Sequence, residues 1–146
     1  MPRVISNTSC LIALSNIGRL EILRNMYNTV IITPEVQDEF GDTLPDWISV
    51  IPVSDPSKTL LIHGTLDLGE SSSIALAMED SNSLLILDDG KARRFARSLG
   101  LMLTGTLGVV YKAKLSGLIE EDMTTIITEF RQNGFRISPE IERHLI

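Results

Sequence analysis

The run Leu84-Leu85-Ile86-Leu87 contains no polar side chain, and Asp88 and Asp89 follow it at once. A strand with one wet face alternates apolar and polar residues. An unbroken apolar run instead fits a strand covered on both faces. Such strands lie in parallel sheets, are joined by helical crossovers, and place ligands beyond their carboxyl ends. Asp88 and Asp89 stand at that end.

The rest of the chain supplies the alternation such a sheet needs. Val4-Ile5 reads as a first strand, Thr8 and Ser9 as caps of a helix from Cys10 to Asn16, and Leu20 to Tyr27 as a second helix after Gly18. Thr29 to Ile32 is β-branched and reads as strand two. Thr33-Pro34 then gives a cap and a first-turn proline for a helix over Glu35 to Phe40. Trp47 to Val53 is a third strand candidate, set at an edge by Pro52. Residues 54–68 fit either a short helix or a loop. Helices follow over Glu70 to Met78, Lys91 to Leu99, Leu107 to Ser116 and Glu120 to Gln132, with a short strand at Leu101 to Leu103 and a last turn or two from Ser138-Pro139. The predicted fold is α/β: a three-layer α/β/α sandwich around a mostly parallel sheet of about five strands. The 146 residues fit one domain, 1–146.

Composition narrows the function classes. The chain is 43% hydrophobic, which supports an aliphatic core, and its net charge is −6. That charge argues against a surface that clings to nucleic acid everywhere, but leaves room for local basic patches and cation-filled acidic sites. The single Cys10 has no disulfide partner in the chain, so a reducing, cytoplasmic setting is expected. No segment approaches the roughly 20 apolar residues that span a bilayer, and the start of the chain lacks a signal-peptide pattern.

Four carboxylates stand at element ends: Glu39, Glu70, Asp88 and Asp89. Asn7 takes the equivalent place after the first strand. Mg²⁺ and Mn²⁺ prefer hard oxygen ligands, and such ions activate water and stabilise the leaving oxygen of a phosphodiester. Each residue also has an ordinary reading. Glu70 complements a helix dipole, Glu39 lies on a solvated helix face, and the Asp88-Asp89 pair caps a helix. Downstream, Lys91, Arg93, Arg94 and Arg97 recur at helical spacing and are candidates to grip RNA phosphates, or a solvated face balancing the acids. Lys112 and Lys114 are weaker candidates. His63 and His144 read as surface residues, and Cys10 as a small core residue.

The chain resembles the PIN domain family, in a branch of small prokaryotic proteins. The resemblance is carried by Val4 to Leu14, by Thr33-Pro34-Glu35-Val36 through Glu39-Phe40, by Leu68-Gly69-Glu70 through Ala77, by Leu84 to Asp89 with Ala92-Arg93, and by Gly105-Thr106-Leu107-Gly108. It implies a metal-dependent ribonuclease site using Mg²⁺ or Mn²⁺. Glu39, Glu70 and Asp89 match its acids, with Asp88 adjacent, and Asn7, Glu70, Asp89 and Asp88 are the expected metal ligands. Thr8, Ser9 and Thr106 would orient those ligands from behind, and Arg93 matches a commonly basic position. Many relatives are VapC-type toxins held by a small antitoxin partner, and homodimers are common. The first site position usually holds Asp where this chain has Asn7, and Cys10 stands where Pro is frequent.

Three functions compete on this basis: a metal-dependent endoribonuclease, a catalytically weakened RNA- or protein-binding module of the same fold, and a phosphoacceptor domain. The third expects its acidic pair after strand one, where this chain has Asn7.

Overall fold

The computed structural model describes residues 1–146. Five strands form one sheet: β1 (Arg3–Ser6), β2 (Val30–Ile32), β3 (Ile48–Val50), β4 (Ser83–Ile86) and β5 (Met102–Thr104). Every pairing is parallel, and the order is β3-β2-β1-β4-β5. The chain steps outward from β1 to β3, then returns to lay β4 on the other side of β1. The point where the order reverses therefore lies between β1 and β4, where crevices open in sheets of this kind.

Period-two side-chain alternation divides the core between the two faces of the sheet. Val4, Ile32 and Ile86 point into one cluster with Leu11, Leu14, Val110, Ile126 and Phe130. Ile5, Leu85 and Leu87 point into the other with Ile74, Leu76, Ala92 and Ala96. The first face is covered by α1 (Thr8–Asn16), α2 (Glu21–Tyr27), α7 (Thr106–Leu115) and α8 (Met123–Gln132); the second by α5 (Leu68–Met78) and α6 (Gly90–Ser98). The expected α/β/α sandwich is what forms.

The remaining helices are α3 (Pro34–Phe40), α4 (Pro56–Ile62) and α9 (Pro139–Leu145). Residues 54–68, open between helix and loop in the sequence, contain α4, capped by Asp55 with Pro56 in its first turn. The third strand is shorter than Trp47 to Val53 and lies at the sheet edge, as Pro52 requires. The fifth strand is Met102–Thr104, one residue later than expected, because Leu101 still closes the end of α6 through its N–H to the Ala96 carbonyl.

Helix α8 begins at Met123 rather than Glu120, and two further helix starts differ from expectation. Asn7, not Thr8 or Ser9, caps α1: its Oδ1 accepts from the Cys10 N–H at 3.1 Å. Helix α5 begins at Leu68 rather than Glu70 and is capped by Asp67. In both, the residue in extended conformation just before the first turn does the capping. No helix is long and apolar enough to cross a membrane.

Candidate active site

The register Ser6↔Ile86 sets Asn7 beside Leu87 at the carboxyl edge of the two central strands, and the Asn7 N–H bonds the Ile86 carbonyl at 3.1 Å. Asn7 is buried. Its side-chain oxygen is held by the α1 cap, so the amide orientation is fixed: turning it over would oppose two N–H donors. Nδ2 is buried and has no hydrogen-bond partner. Where an aspartate would present a second oxygen, this chain presents an N–H₂ group.

Glu39, on the exposed side of α3, reaches across to α5. Its carboxylate accepts from the Thr8 hydroxyl and, at 3.1 Å, from the Gly69 N–H. A side chain at Gly69 has no room: a Cβ there would lie 2.1 Å from Glu39 Oε1 and 3.0 Å from Thr8 Oγ1. Thr8 thus steers Glu39 rather than Asn7. Glu70 is the third residue of a capping box, exchanging bonds with Asp67 at 2.8 and 3.3 Å. Its pKa is raised, first by burial, then by the charges of Asp67, Asp89 and Glu39. Glu39, Glu70 and Asp89 therefore share one field.

Asp89 caps α6, accepting from the Ala92 N–H at 2.9 Å. Asp88 turns the other way. Its two oxygens accept from the N–H of Thr106 at 2.8 Å and from the Thr106 hydroxyl at 2.5 Å, at the start of α7. The hydroxyl of Thr106 thus orients Asp88. The four acids are held from two sides, Glu39 and Glu70 by α3 and α5 and Asp88 by α7, while Asp88 and Asp89 line one groove. No three His, Cys, Asp or Glu side chains converge as a metal ion held by protein alone requires. Strand alternation explains the two sides, because adjacent residues leaving β4 face opposite ways.

Cys10 lies in the core, with its thiol pushed up to about 12 by burial and by the nearby Asp88. It is a protonated packing residue and no nucleophile.

On α6, Arg93 is partly buried and donates through Nη1 to the Leu87 carbonyl at 2.7 Å. Its pKa is lowered by burial and by Arg97, against the pull of Asp88, yet an arginine stays charged. Lys91, Arg94 and Arg97 are exposed. None of these four cations forms an ion pair, whereas Arg3, Arg19, Arg24 and Arg131 all do. Ser9, expected beside the first site position, lines a groove with Asp88, Asp89 and Arg93.

Three features of the site lie outside the expectations from sequence. Asp67 had a signal, since Asp-x-x-Glu before an apolar run is a capping box. Gly69 as the seat of Glu39 had none, being 30 residues away in the chain. Nor had the groove wall formed by Gly134 to Leu145.

Glu70 makes stability depend on pH. The folded chain keeps the Glu70 proton to higher pH than the unfolded chain does. Stability from this group is full below the ordinary glutamate range and is lost as pH rises through it to the raised folded value. Glu70→Gln keeps the oxygen that the capping box uses. In chelator it should raise the melting temperature by about 2 °C at pH 7.5 and leave it unchanged at pH 4, as calorimetry would show. A lower melting temperature at pH 7.5 would mean the carboxylate is not strained.

The fold and its edge define a class: a parallel α/β protein with acids gathered at the sheet's reversal point. The PIN-domain family model matches residues 3–146, and the chain belongs to that family, a nuclease-type one. No curated protein and no solved structure matches the chain.

Proposed function

We propose that the protein is a metal-dependent endoribonuclease of the PIN class. The observation that carries this reading is the seating of the Glu39 carboxylate on the Gly69 N–H at 3.1 Å, next to Glu70, whose pKa is raised first by burial and then by the charges of Asp67, Asp89 and Glu39. Like charges held together store repulsion that a cation relieves.

The donor set fits Mg²⁺ or Mn²⁺ in kind. Mg²⁺ is commonly held by one or two carboxylates plus waters and substrate phosphates, and the carboxylates of Glu70 and Asp89 are hard oxygen donors of that kind. Glu70 and Asp89 would hold the ion, with Glu39 beside them; Asp88 would act from the α7 side. Asn7 does not fit as a ligand through Nδ2, and its oxygen already serves the α1 cap. The ion, when bound, would polarise the phosphodiester and lower the pKa of an attacking water.

The chain's own residues supply the rest. Thr8 and the Gly69 N–H hold Glu39, Asp67 holds Glu70, and Thr106 holds Asp88, each limiting carboxylate motion. The unpaired cations of α6 attract the RNA backbone toward the acids. The toxin of a toxin–antitoxin pair, with a small antitoxin partner, a homodimer and a cytoplasmic location, extends this reading by family analogy alone.

The test is cleavage of single-stranded RNA in Mn²⁺ by the purified chain. Asp89→Asn keeps the α6 cap and removes a charge, and should cut the rate by about 100-fold or more. Cleavage unaffected by Asp89→Asn, or absent in both Mg²⁺ and Mn²⁺, would end the reading.

The buried amide of Asn7 specifically favours a second reading, a non-catalytic RNA- or protein-binding module. Calorimetric titration separates the two: RNA bound without any heat from Mn²⁺ selects the module.

A further inference from the structure

A groove of about 820 Å³ leads from Asp88 and Asp89 to the last residues of the chain. That volume lies within the roughly 300–1,000 Å³ of small-ligand pockets, enough for one nucleotide. Leu107 of α7, with Phe135 and Ile141 of the carboxyl-terminal segment, gives apolar walls. Arg93 and Arg136 bring positive charge to the same groove. Arg136 is exposed and takes no part in any ion pair, and Nη1 is the only Arg93 donor with a protein partner. Gly105 keeps the floor open: a Cβ there would lie 3.1 Å from both Arg93 Nη1 and Asp88 Oδ1.

Free cations beside an apolar wall, continuous with an acidic edge, match a single-stranded nucleic acid, which carries regular negative charge and flat apolar bases. The carboxyl-terminal segment is fastened in place for this. Arg131 binds Glu142 of α9 at 2.9 Å and the Ile137 carbonyl at 3.0 Å, while Phe135 packs on Phe130 with ring centroids 5.0 Å apart.

We propose that this groove is a nucleotide subsite for single-stranded RNA next to the phosphodiester that is cut. One base lies against Leu107, Phe135 and Ile141, and its phosphate between Arg93 and Arg136. The identity of the polymer rests on the nuclease reading above; the subsite itself is tested by binding without metal.

The probe is a fluorescent, non-cleavable 2′-O-methyl oligoribonucleotide, titrated into the full chain in chelator at several salt concentrations. Arg136→Ala should weaken binding about fivefold and reduce the log–log salt slope by about 0.7, the loss of one phosphate contact. Ile141→Glu, at a position 47% exposed and so tolerant of change, should weaken it about tenfold. Lys58→Ala, on α4, should change neither. Undiminished affinity in both Arg136→Ala and Ile141→Glu, or displacement of the probe by an oligoglutamate of equal charge, would overturn the subsite. RNA bound in the groove but never cut in any metal would overturn the nuclease reading and leave the subsite standing. Cutting with unchanged kcat/KM in Arg136→Ala would do the reverse.

Discussion

Asn7→Asp should raise Mn²⁺-dependent RNA cleavage by at least about tenfold, and metal affinity with it. Asp caps a helix as well as Asn does, so the bond from the Cys10 N–H survives the exchange. What changes is the orphaned Nδ2. An unpartnered buried donor costs about 1–3 kcal/mol; an oxygen in its place removes that donor and, on the proposed reading, would offer the ion a further hard ligand. The same oxygen adds charge to a buried position already near acids. In chelator the variant should therefore melt about 5 °C below the parent, and saturating Mn²⁺ should recover more than that loss. Differential scanning calorimetry with and without Mn²⁺ reads both effects. If Mn²⁺ stabilises the Asp variant no more than the parent, position 7 does not face the ion, and the account of the site fails there.

Gly69→Ala should nearly abolish cleavage while leaving the fold intact. The added methyl would stand 2.1 Å from Glu39 Oε1 and 2.9 Å from its Cδ. Those atoms belong to the far end of a flexible, exposed side chain, so Glu39 swings away and the backbone stays. Losing the bond from the Gly69 N–H costs about 1.5–3 kcal/mol, partly offset by about 1 kcal/mol of helix propensity gained by alanine over glycine. A net loss near 1 kcal/mol moves the melting temperature by only about 3 °C. The rate should fall at least 100-fold, because Glu39 leaves both of its anchors. A folded Gly69→Ala variant with parental activity would show that Glu39 needs no fixed position.

These two effects show where sequence reading reaches its limit. Asn7 and Glu39 were both legible as candidates from their places at element ends. Asn7 stands at the end of an apolar strand, and Glu39 follows the Thr33-Pro34 helix start. Their hydrogen-bond duties were not legible. Glu39 is fixed by residues 31 and 30 positions away in sequence, and Asp88 by one 18 positions away. Such partners exist only once the crossovers have folded. The Asp89 cap was legible, since its partner Ala92 is three residues on. For the same reason Asp67 could have been found and the seat at Gly69 could not.

By itself the sequence determined the layers. Apolar runs such as Leu84 to Leu87 require a sheet covered on both faces, and the helical stretches between strands require parallel crossovers. These follow from periodicity and burial, which act over a few residues. Tertiary structure alone decided how the charges are shared out. It laid β4 against β1, sent Asp89 toward Glu70 and Asp88 toward Thr106, and brought Arg136 round to Arg93. Hydrogen-bond and Coulomb partners are chosen by distance in space, and that distance is set only when the sheet order closes.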